Sequence, residues 1–385
     1  MHIVIDEELR RVCTGCTACS NLCAVNAITF ERDTRGFLYP CVNEDACINC
    51  GVCKENCPTN ENIGIQHTYL PRYAYKNTDD IRRVSSSGGA FSALAQYIIN
   101  QNGVVYGCKY NDSVEAIHSR AETNGQIQSF YGSKYVQSEL DSVFQLVKKD
   151  LQDKRVLLFS GTPCQVDGLK HFLTRDYENL YLVDFVCHGV PSPMLFKDHI
   201  ALLEKKHKSK VVEYHNRSKK YGWGQHIESV SFGNGIIDDK SVISQAWKRI
   251  FYSHNCLRES CYNCKYTSEK RVSDITIADY WGIEKSMPDF ADPLGVSLVM
   301  INTEKGSSLF NKIRDEGQYR LISDDSYLQE SLKKPVSKPS THDEFWELYN
   351  RNGYKAVVKK YANYSIYGKT KELVKKIIYN RQYIP

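Results

Sequence analysis

Apolar positions follow two rhythms along this chain. Short unbroken apolar runs of strand length occur at Gly103–Tyr106, Val156–Phe159, Tyr181–Val186, Ile275–Ile277 and Ser297–Ile301. Phe91, Leu94, Ala95, Ile98 and Ile99 instead recur at helical spacing and define one apolar helix face. Around Val230–Ile237 the alternation has period two and turns at Asn234-Gly235, as a hairpin does. Strands separated by helical patterns predict a mixed α/β body over residues 76–320. Residues 61–75, with Gly64 and Pro71, read as a connector, and 321–385 as a helical, basic C-terminal extension. Residues 1–60 are too few to bury a large core and need another staple.

That staple is legible in the cysteines. Cys13-x2-Cys16-x2-Cys19-x3-Cys23 is repeated as Cys47-x2-Cys50-x2-Cys53-x3-Cys57, followed by Pro58. This is the ligand spacing of a bacterial ferredoxin-like domain with two [4Fe–4S] clusters, in which the fourth cysteine of each run ligates the other cluster. One cluster is therefore expected on Cys13, Cys16, Cys19 and Cys57, and the other on Cys47, Cys50, Cys53 and Cys23. A disulfide framework would not repeat this interval. A zinc site would want paired CxxC units without the third and fourth members.

The rest of the composition fits a reducing compartment. The chain has 15 cysteines in 385 residues, but its start, MHIVIDEELRR, lacks the apolar segment of a signal peptide. No run approaches the ~18 apolar residues of a membrane span, so a cytoplasmic protein is expected. The formal charge of +5 is unevenly spread: Arg351–Pro385 has nine Lys or Arg against one Glu, leaving +8 there and −3 in the first 350 residues. Leu373, Val374, Ile377 and Ile378 interleave with those lysines at helical spacing. A packed helix with a solvated basic face accounts for this, as would peripheral contact with an anionic membrane or an acidic partner. Basic residues elsewhere are not arranged for nucleic acid. No GxGxxG follows a strand, and no phosphate loop GxxxxGK[ST] or haem-attaching CxxCH occurs.

Two strand-end loops carry unusual chemistry. Ser160-Gly-Thr-Pro-Cys164-Gln follows one apolar run, and Cys187-His-Gly-Val-Pro-Ser-Pro193 follows the next. In open α/β sheets ligands bind beyond the carboxyl ends of the strands. Cys256-x4-Cys261-x2-Cys264 follows, and with Cys108 the body has six cysteines, enough for a third cluster. Spacing alone favours Cys256 over Cys187 as a ligand. Cys41 lies outside the ligand pattern, and Cys108 reads as a small buried hydrophobe. Ser85-Ser-Ser-Gly88-Gly89, before the apolar helix, allows close backbone approach and could present N–H groups to a diphosphate; an ordinary helix start is the competing reading.

These residues resemble the beta subunit of coenzyme F420-reducing hydrogenase and its F420 dehydrogenase relatives. The resemblance rests on Ser85-Ser-Ser-Gly88-Gly89, Gly132-Ser-Lys134-Tyr135, Pro163-Cys164-Gln165, Cys187, Cys261-x2-Cys264 and Ser273-Asp274-Ile-Thr, and spans about residues 80–300. It implies a flavin-binding body with noncovalent FAD at Ser86, Ser87, Gly88, Gly89, Lys134 and Tyr135. It also implies a third [4Fe–4S] cluster on Cys164, Cys187, Cys261 and Cys264, with Cys256 a spare. His188 is then a candidate proton donor to substrate. The expected function is oxidoreduction between a one-electron carrier such as ferredoxin and a two-electron substrate such as coenzyme F420. The alternative is an electron-transfer subunit that docks to a separate catalytic partner.

Overall fold

The computed structural model describes residues 7–60 and 71–364. Thirteen strands occur among them: β1 (Ile28–Arg32), β2 (Leu38–Val42), β3 (Arg72–Lys76), β4 (Val104–Tyr110), β5 (Ala116–Ala121), β6 (Leu157–Gly161), β7 (Leu180–Phe185), β8 (Val211–Ser218), β9 (Ile227–Phe232), β10 (Ile237–Asp238), β11 (Ile275–Asp279), β12 (Ser297–Ile301) and β13 (Gln318–Ile322). The body is built on an eight-stranded sheet ordered β13-β3-β12-β11-β7-β6-β4-β5. Its four central strands, β11, β7, β6 and β4, run parallel, and the flanking pairs are antiparallel. The body is thus a mixed α/β fold on a mixed sheet.

Every residue of β6 and β12 is buried, which is why they read as unbroken apolar runs rather than alternating ones. The Ala90–Asn100 and Glu304–Ile313 helices cover one face of the sheet through Leu94, Ile98, Leu309 and Phe310. The Val143–Gln152 and Pro163–Leu173 helices cover the other, packing Phe144, Val147 and Phe172 on β4 and β6. Because β4, β6, β7 and β11 are parallel, their carboxyl ends meet on one edge. The loops beginning at Asn111, Thr162, Val186 and Tyr280 open there.

A second sheet, β10-β9-β8, is antiparallel, and its hairpin turns at Asn234-Gly235 as expected, with Gly235 at φ 83°. It shares a core with the Pro193–His207, Ala246–Tyr252, His342–Asn352 and Tyr354–Tyr361 helices around Trp247. Two boundaries need correction. The connector over 61–75 ends inside β3, an inner strand that hydrogen-bonds β12 and β13 on either side. The extension over 321–385 begins inside β13, so its first residues are sheet. Both strands are short, and their polar positions hid them: β13 shows most of its side chains to solvent.

The first half of the basic tail is a packed helix: Tyr354, Val357, Val358 and Ala362 are buried, while Lys360 pairs with Glu344 at the surface. The Leu373–Ile378 pattern lies outside the described residues. No helix among those described is long and apolar enough to cross a membrane.

Candidate redox site

The N-terminal module is a β1-β2 hairpin between two cysteine loops of matching shape. Gly15 and Asn49 occupy equivalent places in the two runs, as do Thr17 and Gly51, and all four have left-handed backbone (φ 70°, 55°, 64° and 79°). Each loop then enters a short helix, Ala18–Leu22 or Val52–Glu55. The left-handed turns put the three thiols of each run on one tight loop. The fourth thiol is crossed: Cys13 and Cys57 both act electrostatically on Cys16 and Cys19. Cys50 and Cys23 likewise act on Cys53, and Cys47 opens that same loop. The Ala27 N–H points at Cys23 Sγ at 3.2 Å. Cys50 is solvent-exposed, flanked by exposed Ile48 and Val52, whereas the first loop faces the body.

That inward contact is close. Ala18 packs in the core beneath β4 and β6. Gly168, on the Pro163–Leu173 helix, lies so near that a Cβ there would stand 2.6 Å from Cys16 Cβ and 2.9 Å from its Sγ. Cys164 lies in the first turn of the same helix, so the first and third cysteine groups meet at this junction. Pro163 takes the helix's first position, and the Thr162 N–H donates to Gln165 Oε1 at 2.9 Å.

The third cysteine group assembles across the strand ends. Cys187 Sγ is influenced by Cys261, Cys164 and Cys264, and Cys164 by Cys264. Cys261 and Cys264 sit on and just after the 3-10 turn Glu259–Asn263. The N–H groups of Gly189 and Val190 point at Cys187 and Cys261 Sγ, each at 3.4 Å. Burial first, then mutual repulsion, pushes these thiols up, Cys164 to about 11, so thiolates here call for a cationic centre. Among the described residues no three His, Cys, Asp or Glu groups converge tightly enough to share one ion. A cube, whose four irons each take one thiolate, sets its ligands further apart than a single zinc does. The donor set and its buried N–H groups fit such a cube.

Cys256 stands aside from this group. It is fully buried in the apolar cluster around Trp247, and its thiol faces the Ile250 carbonyl at 3.5 Å. Cys41 lies on β2 next to Glu31, apart from both cysteine loops. Cys108, expected to be a core filler, packs against the core around Trp247 and also lines the body's cavity.

That cavity, of about 320 Å³, opens at the carboxyl edge of the parallel strands. Its walls bring together Ser85–Ser87, Gly89–Ser92, Lys134, Tyr135, Cys187 and His188, residues far apart in sequence. Ser86 Oγ accepts from the Ser133 N–H at 2.6 Å and bonds Ser133 Oγ at 2.9 Å, clasping the two loops together. Gly88 is wedged between strands: a Cβ would meet Tyr75 O at 2.2 Å and Ser297 N at 2.4 Å. Gly89, at φ 83°, turns the chain into the Ala90–Asn100 helix, whose first turn faces the cavity.

Lys134 is not a surface lysine. Its ammonium donates to the carbonyls of Ser129, Tyr131 and Gly132 at 2.9, 2.9 and 3.1 Å, and burial lowers its pKa to about 8. His188 Nε2 lies 2.6 Å from His254 Nε2, and burial pushes His188 down to about 4. At the mouth, Trp281 stacks on Trp223 with centroids 4.6 Å apart, and Arg217, paired with Asp279, lies 5.0 Å from the Trp281 ring centre.

The clamping role of Lys219, and the two histidines His118 and His254, were missed from sequence. Lys219 Nζ donates to Arg82 O, Ser87 O and Leu294 O at 2.6, 2.5 and 2.6 Å, tying down the serine loop from below. His118 lines the cavity, with Nε2 3.0 Å from the Ser160 carbonyl. His254 completes the histidine pair. Lone Lys and His residues without motif spacing carry no signal for such roles. Behind the third cysteine group, Arg271 and Asp184 form a buried ion pair at 3.0 Å, and removing either partner costs about 3–5 kcal/mol.

Two crossed cysteine loops on a mixed α/β body define an iron–sulfur electron-transfer protein. Residues 12–61 match the family described as 4Fe-4S dicluster domain, and residues 154–326 match the family of the C terminus of the coenzyme F420 hydrogenase/dehydrogenase beta subunit. The chain therefore joins a dicluster domain to the C-terminal domain of the F420 hydrogenase/dehydrogenase beta-subunit family. It is 23% identical over 362 residues to the Coenzyme F420-dependent sulfite reductase of Methanocaldococcus jannaschii, covering 91% of this chain and 54% of that protein. The chain thus spans about half the length of that relative. The Ferredoxin-type protein NapF of Haemophilus influenzae is 44% identical over 45 residues, 12% of this chain and 26% of that one. A solved structure of the F420-reducing [NiFe] hydrogenase complex from Methanosarcina barkeri aligns with TM-score 0.47 at 15% identity, covering 82% of this chain and 94% of that chain.

Proposed function

We propose that the protein is an iron–sulfur flavoenzyme that passes electrons between a one-electron carrier, such as ferredoxin, and a two-electron substrate of the coenzyme F420 type. The observation that carries this reading is the junction at Cys16 and Cys164, where the inner cysteine loop abuts the cysteine group whose Cys187 lines the body's cavity. Cys13, Cys16, Cys19 and Cys57 would hold one [4Fe–4S] cluster, and Cys47, Cys50, Cys53 and Cys23 another. Cys164, Cys187, Cys261 and Cys264 would hold a third. FAD, when bound, supplies the interchange of one- and two-electron chemistry.

The chain's own residues bind and orient in this reading. Ser86, Ser87 and Gly89, with the first turn of the Ala90–Asn100 helix, suit a diphosphate, and Gly88 seats that loop against β3 and β12. Lys134 and Tyr135 form the opposing wall. His188, paired with His254 beside Cys187, is positioned to hold a proton at the cavity. Exposed Cys50 and its apolar neighbours suit electron entry from a carrier protein.

Protein loaded under anaerobic conditions should carry about 12 iron atoms, four for each of three cubes, and one FAD. A content near eight iron with no flavin would leave only the dicluster domain standing. Gly88→Ala provides a sharper check of the flavin site. The new methyl meets backbone on both sides, so the serine loop must move, at a stability cost of about 1–3 kcal/mol. Flavin should be lost on gel filtration while the N-terminal cluster signals persist.

A second reading, an electron-transfer unit serving a separate catalytic partner, is favoured by one observation. The sulfite reductase relative matches this chain over only 54% of its own length. Turnover of a small acceptor by the purified chain with reduced ferredoxin alone would exclude it.

A further inference from the structure

The side chain with the most unusual environment outside the cavity is Arg258, in the stretch Cys256-Leu-Arg-Glu-Ser-Cys261. It is 1% exposed, yet among the described residues no carboxylate pairs with it. Its hydrogen bonds go to neutral groups of the N-terminal module and the body at once. Nε donates to Cys13 O at 2.8 Å, Nη2 to Leu38 O at 2.9 Å, and Nη1 to Gln137 Oε1 at 3.1 Å. The guanidinium also lies 4.2 Å from the ring centre of Tyr39. Its nearest anionic prospect is sulfur: Nη2 approaches Cys13 Sγ at 3.7 Å.

A buried guanidinium stays protonated, so its charge must be balanced by something other than proton loss. Carbonyls and an aromatic face offset part of the desolvation, not the net charge. Four thiolates on an iron–sulfur cube would supply the missing negative charge, and Cys13 is the ligand within reach. Cys164 and Cys261 of the third group lie within the same field. Gln137 reinforces the arrangement, because its Nε2 donates to Thr14 O at 3.1 Å and holds the Cys13 loop on the guanidinium.

We propose that Arg258 is the built-in counter-ion of the inner N-terminal cluster and raises its reduction potential above that of the outer one. Uptake of one electron adds one negative charge to that cluster, and a fixed cation beside its ligand stabilises the reduced form. The inner cluster thus becomes the favoured resting place of an electron arriving through the Cys50 side, next to the third group. Arg258 acts here as a positioning and tuning residue. The inference rests on the proposed ligation of the inner cluster by Cys13.

The test is an EPR-monitored redox titration of the full, cluster-loaded chain. Arg258→Gln should make one N-terminal midpoint more negative by the equivalent of at least tenfold in the reduction equilibrium, ~59 mV for one electron, leaving the other near its wild-type value. Arg258→Lys keeps the charge while losing the planar fork, so its midpoint should stay close to wild type. Unchanged midpoints in Arg258→Gln, with both signals intact, would overturn the proposal and leave Arg258 a mechanical clamp. If Arg258→Gln does not load its clusters, Arg258→Lys decides alone: a wild-type midpoint upholds the role of charge, and a tenfold fall overturns it. A wild-type chain with no N-terminal cluster signals would overturn the functional reading and this inference with it.

Discussion

Replacing Cys187 by serine is expected to abolish the signal of a third cluster while leaving the two N-terminal signals intact, whereas Cys256→Ser should change none of the three. Cys187 follows β7, shares a neighbourhood with Cys164, Cys261 and Cys264, and has backbone N–H groups converging nearby. Serine's alkoxide is a poor ligand for iron at neutral pH, so the site should lose a corner. Cys256 is fully buried against apolar side chains, with its thiol directed at the Ile250 carbonyl. A hydroxyl can keep that bond, so the cost should be no more than about 1 kcal/mol of stability. EPR of the dithionite-reduced proteins distinguishes the outcomes. Loss of the third signal in Cys256→Ser, with Cys187→Ser intact, would mean that the local CxxxxCxxC spacing chooses the ligands.

The second large effect is expected from Gly168→Val. The junction between the inner cysteine loop and the body exists only because residue 168 has no side chain: its Cβ would stand 2.6 Å from that of Cys16. An isopropyl group must push the loop off the Pro163–Leu173 helix, lengthening the gap between the first and third cysteine groups. Overpacking of this kind costs about 1–3 kcal/mol. With FAD bound as proposed, its reduction by reduced ferredoxin, followed by stopped flow, should slow sharply. Direct reduction by a two-electron donor, which needs only the cavity, should survive. Full ferredoxin-linked rates in a variant with all clusters present would show that electrons do not cross at Cys16 and Cys164.

The two cysteine runs were legible because cluster ligation imposes a strict local spacing. A loop that offers three thiols to one cube needs a fixed number of residues between them. The helix face from Phe91 to Ile99 and the buried strands were legible for a related reason: burial on one face or two leaves a periodic trace. β3 and β13 left weaker traces. β3 sits beside a proline and ten residues of connector, and β13 is an edge strand with polar side chains on its open face. The third cysteine group was ambiguous because its members lie about a hundred residues apart from first to last. Nothing local in Cys256-x4-Cys261-x2-Cys264 says that the first thiol points into an apolar core.

What the sequence by itself determined is the chemistry: eight thiols in two repeats, a serine-glycine loop before a helix, and two cysteines on strand-end loops. These are properties of residue type and short-range spacing, which the chain carries before it folds. Only the tertiary structure decided the relationships between them. The parallel order of β4, β6, β7 and β11 puts the strand-end loops on one edge, where Ser86 meets Ser133 and His188 meets His254. The packing of the N-terminal module on the body brings Cys16 to Gly168 and buries Arg258 against Cys13. Those last two contacts join positions separated by more than a hundred residues. They are selected by how apolar faces close over one another, and no local pattern in the sequence encodes them.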